Sequence, residues 1–250
     1  TPYLARFEII NADTDDTASY SVVYAEGWTD GTSSGVVAFS NNNNGSSNKT
    51  DTRTRSESGV VCGEMSYSDG SWNAYCDTPV FITDGIRVTW RATDGNAYRM
   101  RITLFGGDEG SAKVGWANPT DLANDTISTT DESDLIFTVS GHQGTNDGTV
   151  ADDGYISKGI AVRSASTYNN FSYTRGSDDN ASTSTVFAIV DDRVIHRNLY
   201  NTTTYEGIKI NYVSSTSFNC WVWDETGPVV MKLLYAALSA GANSFAGGFS

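Results

Sequence analysis

Histidine, cysteine and proline are scarce: the 250 residues hold 2 His, 3 Cys and 4 Pro. Metal sites need clustered ligands, and Cys and His this sparse argue against zinc. His142 lies in Gly141-His142-Gln143-Gly144 and His196 in Arg193-Val194-Ile195-His196-Arg197. Neither stands in a nucleophile motif, and there is no G-x-S-x-G turn. The chain is therefore expected not to be an enzyme. No apolar run approaches the roughly 20 residues that span a bilayer, and the first residues do not read as a signal peptide. Basic residues are outnumbered, 16 against 30 acids, for a net charge of −14. Such a field repels phosphate backbones and anionic lipid, which argues against nucleic acid and membrane surfaces as partners. Phosphate-cradling loops are absent too, since Gly106-Gly107 and Gly247-Gly248 lack a following Lys and helix.

What is abundant is glycine, with 24 residues, and aromatics, with 6 Trp, 13 Tyr and 10 Phe, set among many Ser, Thr, Asn and Asp. That balance fits an all-β chain with many turns. Short runs alternate apolar and polar residues at period 2, as in Tyr3–Ile10 and Tyr20–Ala25. Val229–Ala242 holds good helix formers, but its likeness to Arg99–Gly107 assigns it to strand. Asn41–Thr54 reads as a long polar loop.

Three blocks recur about half a chain apart. Asp84-Gly85-Ile86-Arg87-Val88-Thr89-Trp90 returns as Glu206-Gly207-Ile208-Lys209-Ile210-Asn211-Tyr212. Leu104-Phe105-Gly106-Gly107 matches Leu234-Tyr235-Ala236-Ala237, and Gly35–Ser40 matches Gly159–Ser164. The expectation is two tandem related β-sandwich modules of jelly-roll-like topology. They would span residues 1–120 and 135–250, joined by an acidic linker at 121–134.

Candidate sites are few. Trp28, Trp72 and Trp116 stand near turns, with Asp30 close to the first. A flat indole beside fixed hydrogen-bonders suits a carbohydrate, and the competing reading is that these rings cap the cores. Asp13, Asp15 and Asp16 form an acidic turn that could supply oxygens to calcium, although such turns are usually only turns. No other cofactor is implied. Glu64 and Glu206 are the nearest candidates for glycoside hydrolysis, each expected to face solvent. Cys62 and Cys76 flank Ser68-Asp69-Gly70, so a short hairpin would set them opposite one another. Either a cross-strand disulfide or two small buried thiols fits that spacing.

Asp84-Gly85-Ile86-x-Val88-x-Trp90, then Leu104-Phe105-Gly106-Gly107, then Ala112-Lys113-Val114-Gly115-Trp116 resembles a family of β-rich virion proteins of tailed bacteriophages, common among marine and environmental phages. The resemblance weakens in the second half, where Ala236-Ala237 replaces the glycine pair and Asn243-Ser244-Phe245 replaces the A-K-V-G segment. It implies a structural head-decoration, tail or fibre-associated protein that forms homo-oligomers and contacts other virion proteins, with no catalytic residues. The alternatives are a carbohydrate- or receptor-binding module for a host-surface glycan, extracellular or secreted, and a double-jelly-roll capsid protein.

Overall fold

The computed structural model describes residues 1–12, 21–43, 50–66, 70–92, 99–107, 110–119, 124–143, 153–180, 183–191, 193–198, 205–223 and 232–239. Every regular element among them is a strand, and the strands form antiparallel sheets.

In the first half, β1 (Pro2–Ala12), β2 (Ser21–Thr29), β3 (Ser34–Asn43) and β4 (Thr50–Ser58) form an up-and-down meander. Gly59 then adopts φ +80°, a left-handed value that glycine takes without a Cβ penalty. There the chain leaves this sheet for a second one, made of β5 (Val60–Met65), β6 (Trp72–Asp77) and, after the small hairpin β7 (Val80–Ile82) and β8 (Gly85–Arg87), β9 (Trp90–Ala92). The strand β10 (Met100–Gly106) returns to pair with β1, giving the order β10-β1-β2-β3-β4.

The second half repeats that order. Its meander is β13 (Leu135–Gln143), β14 (Asp153–Ser164), β15 (Thr167–Asn180) and β16 (Thr183–Asp191). An outer sheet follows, with β17 (Ile195–Asn198), β18 (Tyr205–Ser214) and β19 (Ser217–Trp223). Then β20 (Leu233–Ser239) returns beside β13. Two strands stand outside the scheme. β11 (Ser111–Ala117), placed with the first module by sequence, pairs with β20 of the second. β12 (Asp125–Ser128) lies within the expected linker yet pairs with β19.

Four layers result. Phe7, Ile9, Ala25 and Val36 of the first meander pack on Val61, Cys62, Met65 and Cys76 of its outer sheet. Ile136, Ala161 and Tyr235 of the second meander pack on Ile208, Ile210, Phe218 and Cys220 of the other outer sheet. Between the two meanders lies a third core, built from Leu4, Trp28, Val37 and Phe39 on one side and Val139, Ile156, Leu234 and Ala236 on the other. Over most of their extent both inner sheets are therefore covered on both faces, although Phe171 and Tyr173 of β15 stay exposed. This explains why β20, hydrogen-bonded on each side and buried on each face, is strand despite its helix-forming composition.

Three expectations are corrected. The chain is all-β and sandwich-like as expected, but within each half four consecutive strands, β1–β4 and β13–β16, stay in one sheet, which makes a meander and not a jelly roll. The polar stretch Asn41–Thr54 contributes both ends to the β3–β4 ladder, with Asn43 paired to Thr50, because backbone pairing needs no apolar side chain. The sequence blocks do not mark equivalent strands, apart from Leu104 and Leu234 on β10 and β20. The first Asp-Gly-Ile block spans β8, a break and β9, whereas its likeness lies within the single strand β18.

Contacts align the halves better. A Cβ on Gly27 of β2 would stand 2.0 Å from the Val61 carbonyl oxygen, and one on Gly159 of β14 would stand 1.9 Å from that of Val194. In each half the outer sheet begins by crossing this glycine, where only a missing side chain lets two backbones approach.

Candidate functional site

The central layer is apolar at one end. Trp28 stacks on Phe137 with ring centroids 4.9 Å apart, and Phe105 lies 6.2 Å from Trp28. Alternation along β1 and β2 places Arg6, Glu8, Tyr24 and Glu26 on the same sheet face as Leu4 and Trp28. Lys158 of β14 enters from the opposite sheet, and four side chains, Arg6, Tyr24, Trp28 and Lys158, close on the Glu26 carboxylate.

Glu26 is 2 % exposed. Arg6 donates to it with two bonds of 3.0 Å, Nε to Oε1 and Nη2 to Oε2. The Trp28 indole donates to Oε1 at 3.2 Å, the Tyr24 hydroxyl to Oε2 at 2.6 Å, and the Lys158 ammonium lies 2.8 Å from Oε2. Arg6 also reaches Glu8 at 2.9 Å, while Lys158 stands 3.7 Å from Glu8 and is hydrogen-bonded to the Tyr24 hydroxyl. The Lys158 Nζ lies 4.0 Å from the centre of the Tyr24 ring.

Burial alone would raise the Glu26 pKa, but Lys158 and Arg6 outweigh it and hold the group below its ordinary value. Burial lowers the Arg6 pKa, and the hydrogen bonds and charge of Glu26, with Glu8, reverse this and raise it. Burial first, and then the charge of Glu26, pushes the Tyr24 phenol far up, so it remains a donor. Two cations face two carboxylates, and every Glu26 oxygen is occupied. The arrangement fixes one sheet against the other.

Glu26 immediately precedes Gly27, and Lys158 immediately precedes Gly159. The two glycines make the same contact in their respective halves, so the residues that pair across the layer hold corresponding positions. Face-to-face packing of like sheets brings like positions together, as in an isologous interface.

The rings singled out from the sequence as sugar candidates do other work, Trp28 as a member of this cluster. Trp28 is 1 % exposed, so no face is open to a sugar. Asp30 spends its carboxylate on backbone amides, accepting from Thr32 at 2.9 Å, Ser33 at 2.7 Å and Val114 at 2.8 Å. Trp72 donates to Glu57 at 2.6 Å beneath the Arg55 guanidinium, 5.0 Å from its ring, and packs against Gly63. Trp116 packs against Gly35, with Lys232 4.5 Å from its ring. Trp28 and Trp116 border the central core and Trp72 borders the first outer core, so the structure does not gather the three into one site. Their neighbours Gly27, Asn73 and Gly115 lie within β2, β6 and β11 and not in turns.

Asp13, Asp15 and Asp16 lie outside the described residues. Among the described residues no group of three His, Cys, Asp or Glu is placed to hold a metal. Glu64 is buried on β5 rather than solvent-facing, because the outer sheet is covered there. Glu206, His142 and His196 fall on β18, β13 and β17, with side chains outside the described set.

Cys62 and Cys76 do stand opposite one another across β5 and β6, as the hairpin spacing allows. They are free thiols, not a disulfide, and both are buried, as is Cys220. Burial pushes the Cys62 thiol up to about 12 and moves Cys76 and Cys220 higher still. The native chain is expected to take up no iodoacetamide at mildly alkaline pH, and the denatured chain to take up three equivalents, one per cysteine. Intact-mass spectrometry reads both. Native labelling at any of the three would contradict this packing.

Comparison of the chain with protein-family models, with curated proteins and with solved structures returns no match. The functional reading therefore rests on the residues and their geometry.

Proposed function

We propose that the chain is a structural component of a bacteriophage virion, a head-decoration, tail or fibre-associated protein that works by protein–protein assembly. Its two halves would descend from one duplicated β module. Three supports stand behind this reading: the likeness of the Asp84–Trp90, Leu104–Gly107 and Ala112–Trp116 blocks to such proteins, the repeated strand order, and a central site whose charges are spent on holding two sheets together.

One observation carries the assembly step. Gly27 pairs with Val36, and its counterpart Gly159 pairs with Ser172. Gly35 and Val37 therefore correspond to Phe171 and Tyr173. Gly35 is covered by Trp116 of β11 and Leu234, and Val37 is 0 % exposed. Phe171 is 54 % exposed and Tyr173 is 48 % exposed. The difference follows from β11, which extends the second inner sheet beyond β20 and lies against β3. Among the described residues, no strand extends the first inner sheet beyond β10 in the same way. Among the described residues the outer side of β10 is therefore unpaired, while Phe171 and Tyr173 of β15 stand exposed.

A strand from a second copy, added beside β10 with its apolar face on Phe171 and Tyr173, would complete the second half as β11 completes the first. Strand addition at a free edge is a common mode of assembly, and an uncovered edge is otherwise a liability. The test is the double substitution Phe171→Asp with Tyr173→Asp. Both side chains are exposed in the single chain, so the variant is expected to keep its melting temperature while its mass by light scattering falls to that of one chain. A variant that assembles as the wild type does would remove this surface from consideration.

A further inference from the structure

The outer sheet of the second half has the order β12-β19-β18-β17, and among the described residues its outward side chains are partly or largely exposed. Ile127, Phe218, Cys220, Val222, Ile208 and Ile210 point into the core. The alternating positions, Thr126, Asn219, Trp221, Lys209 and Asn211, therefore point out. Trp221 is 37 % exposed on an interior strand. Indoles bury large apolar areas wherever they can, so one left partly exposed on a sheet's solvent face keeps part of a flat apolar ring open.

The residues around that ring are hydrogen-bonders. Lys209 is directly opposite Trp221 in the β18–β19 register. One step along, Thr126, Asn219 and Asn211 form a continuous row across three strands. The Thr126 hydroxyl donates to the Asn219 carbonyl oxygen at 2.6 Å, which fixes the orientation of that amide. The row lies on a rigid ladder rather than a loop, so ligand binding costs little ordering.

We propose that this face is a carbohydrate-binding platform: a pyranose ring stacks on the Trp221 indole, and its hydroxyls bond to Asn219, Asn211, Thr126 and Lys209. A sugar presents one apolar C–H face and a rim of donors and acceptors. The platform offers the complement, a flat π face with amide, hydroxyl and ammonium groups at its edge. The platform stands on the opposite side of its sandwich from Phe171 and Tyr173, so it is independent of the assembly reading. Trp28, Trp72 and Trp116, the rings singled out from the sequence, take no part in it.

The test uses the intact chain labelled with nitrogen-15, whose 6 Trp give six indole N–H signals. Trp221→Phe assigns one of them and keeps a ring in place, and Trp221→Ala removes the ring. The probes are laminarin, a neutral glucan, and alginate, a uronate polymer. A saturable shift of the Trp221 signal with either, in the millimolar range typical of open platforms, is expected. Trp221→Ala, with its fold verified by the other indole signals, should lose binding at least tenfold, and Asn219→Ala should weaken it. No shift of Trp221 with either polymer, or shifts of equal size in Trp221→Ala, would overturn the proposal. So would a Trp221 signal that moves with protein concentration in the absence of sugar, because the face would then be an interface between copies.

Discussion

A chain carrying Arg6→Met together with Lys158→Met is expected to lose about 3–5 kcal/mol of folding stability, the usual cost of leaving a buried charge without its partners. Domains are stable by only about 5–15 kcal/mol, so this variant should be largely unfolded at modest temperature. Glu26 is 3 % exposed at its side chain and has no route to water, whereas Arg6 at 26 % and Lys158 at 30 % keep partial access. The cost therefore falls on the carboxylate. Adding Glu26→Leu to the same chain should restore part of the loss, since an apolar replacement of the whole ion cluster removes the orphaned charge. Recovery will be incomplete because the Tyr24 hydroxyl and Trp28 indole lose their acceptor.

The same carboxylate sets an acid limit. Its pKa in the folded chain lies below 4.5, the ordinary glutamate value. A depressed pKa stabilises the fold fully above that ordinary value, and the contribution disappears as pH falls through the lower folded value. The wild-type melting temperature should drop through this acid range, and Glu26→Gln should flatten that part of the curve. An acid profile unchanged by Glu26→Gln, or a stable Arg6→Met/Lys158→Met chain, would mean that the two inner sheets are not held together by this cluster.

Gly27→Ala and Gly159→Ala are each expected to cost about 3 kcal/mol or more, at the severe end of overpacking. The added methyl would stand 2.0 Å from the Val61 carbonyl oxygen in one case and 1.9 Å from the Val194 carbonyl oxygen in the other. Both obstacles are backbone, so no rotamer change relieves them. In the second half that carbonyl also accepts a buried hydrogen bond from the Thr138 hydroxyl at 3.0 Å, and separating the layers would break it. Gly85→Ala is the control, because a Cβ there meets nothing within 4 Å and the effect should stay within about 0.5 kcal/mol. Chemical denaturation of the three variants reads the contrast. If Gly159→Ala were as mild as Gly85→Ala, the correspondence between the halves would lose its strongest physical support.

Much of the fold class was legible because β structure writes itself at period 2, and Gly, Asn and Asp mark its turns. The opposition of Cys62 and Cys76 followed from hairpin spacing in the same way. The central layer was not legible. Arg6 and Glu8 on β1, and Tyr24 and Glu26 on β2, alternate with core residues as a solvent face would. The clue was that Leu4, Trp28, Val37 and Phe39 share that face, which makes no sense for strands wet on one side. The sequence blocks suggested two halves, but two of the three paired the wrong strands, since an acid-Gly-apolar turn before a strand recurs for local reasons. Equivalence is set instead by tertiary contact, as between Gly27 and Val61, which local pattern does not carry. The tryptophans show the same limit: Gly and Asn neighbours gave no information on depth, and Trp221 was hidden in an apolar-looking run, Cys220-Trp221-Val222-Trp223.

The most direct measurement is the molar mass of the wild-type chain by light scattering coupled to size exclusion, with negative-stain imaging of the same peak. A defined multiple of 26.9 kDa, seen as a ring, trimer or lattice, is the expected result for an assembly subunit. A single 26.9 kDa species at every concentration, with no ordered particles, would contradict the assembly reading.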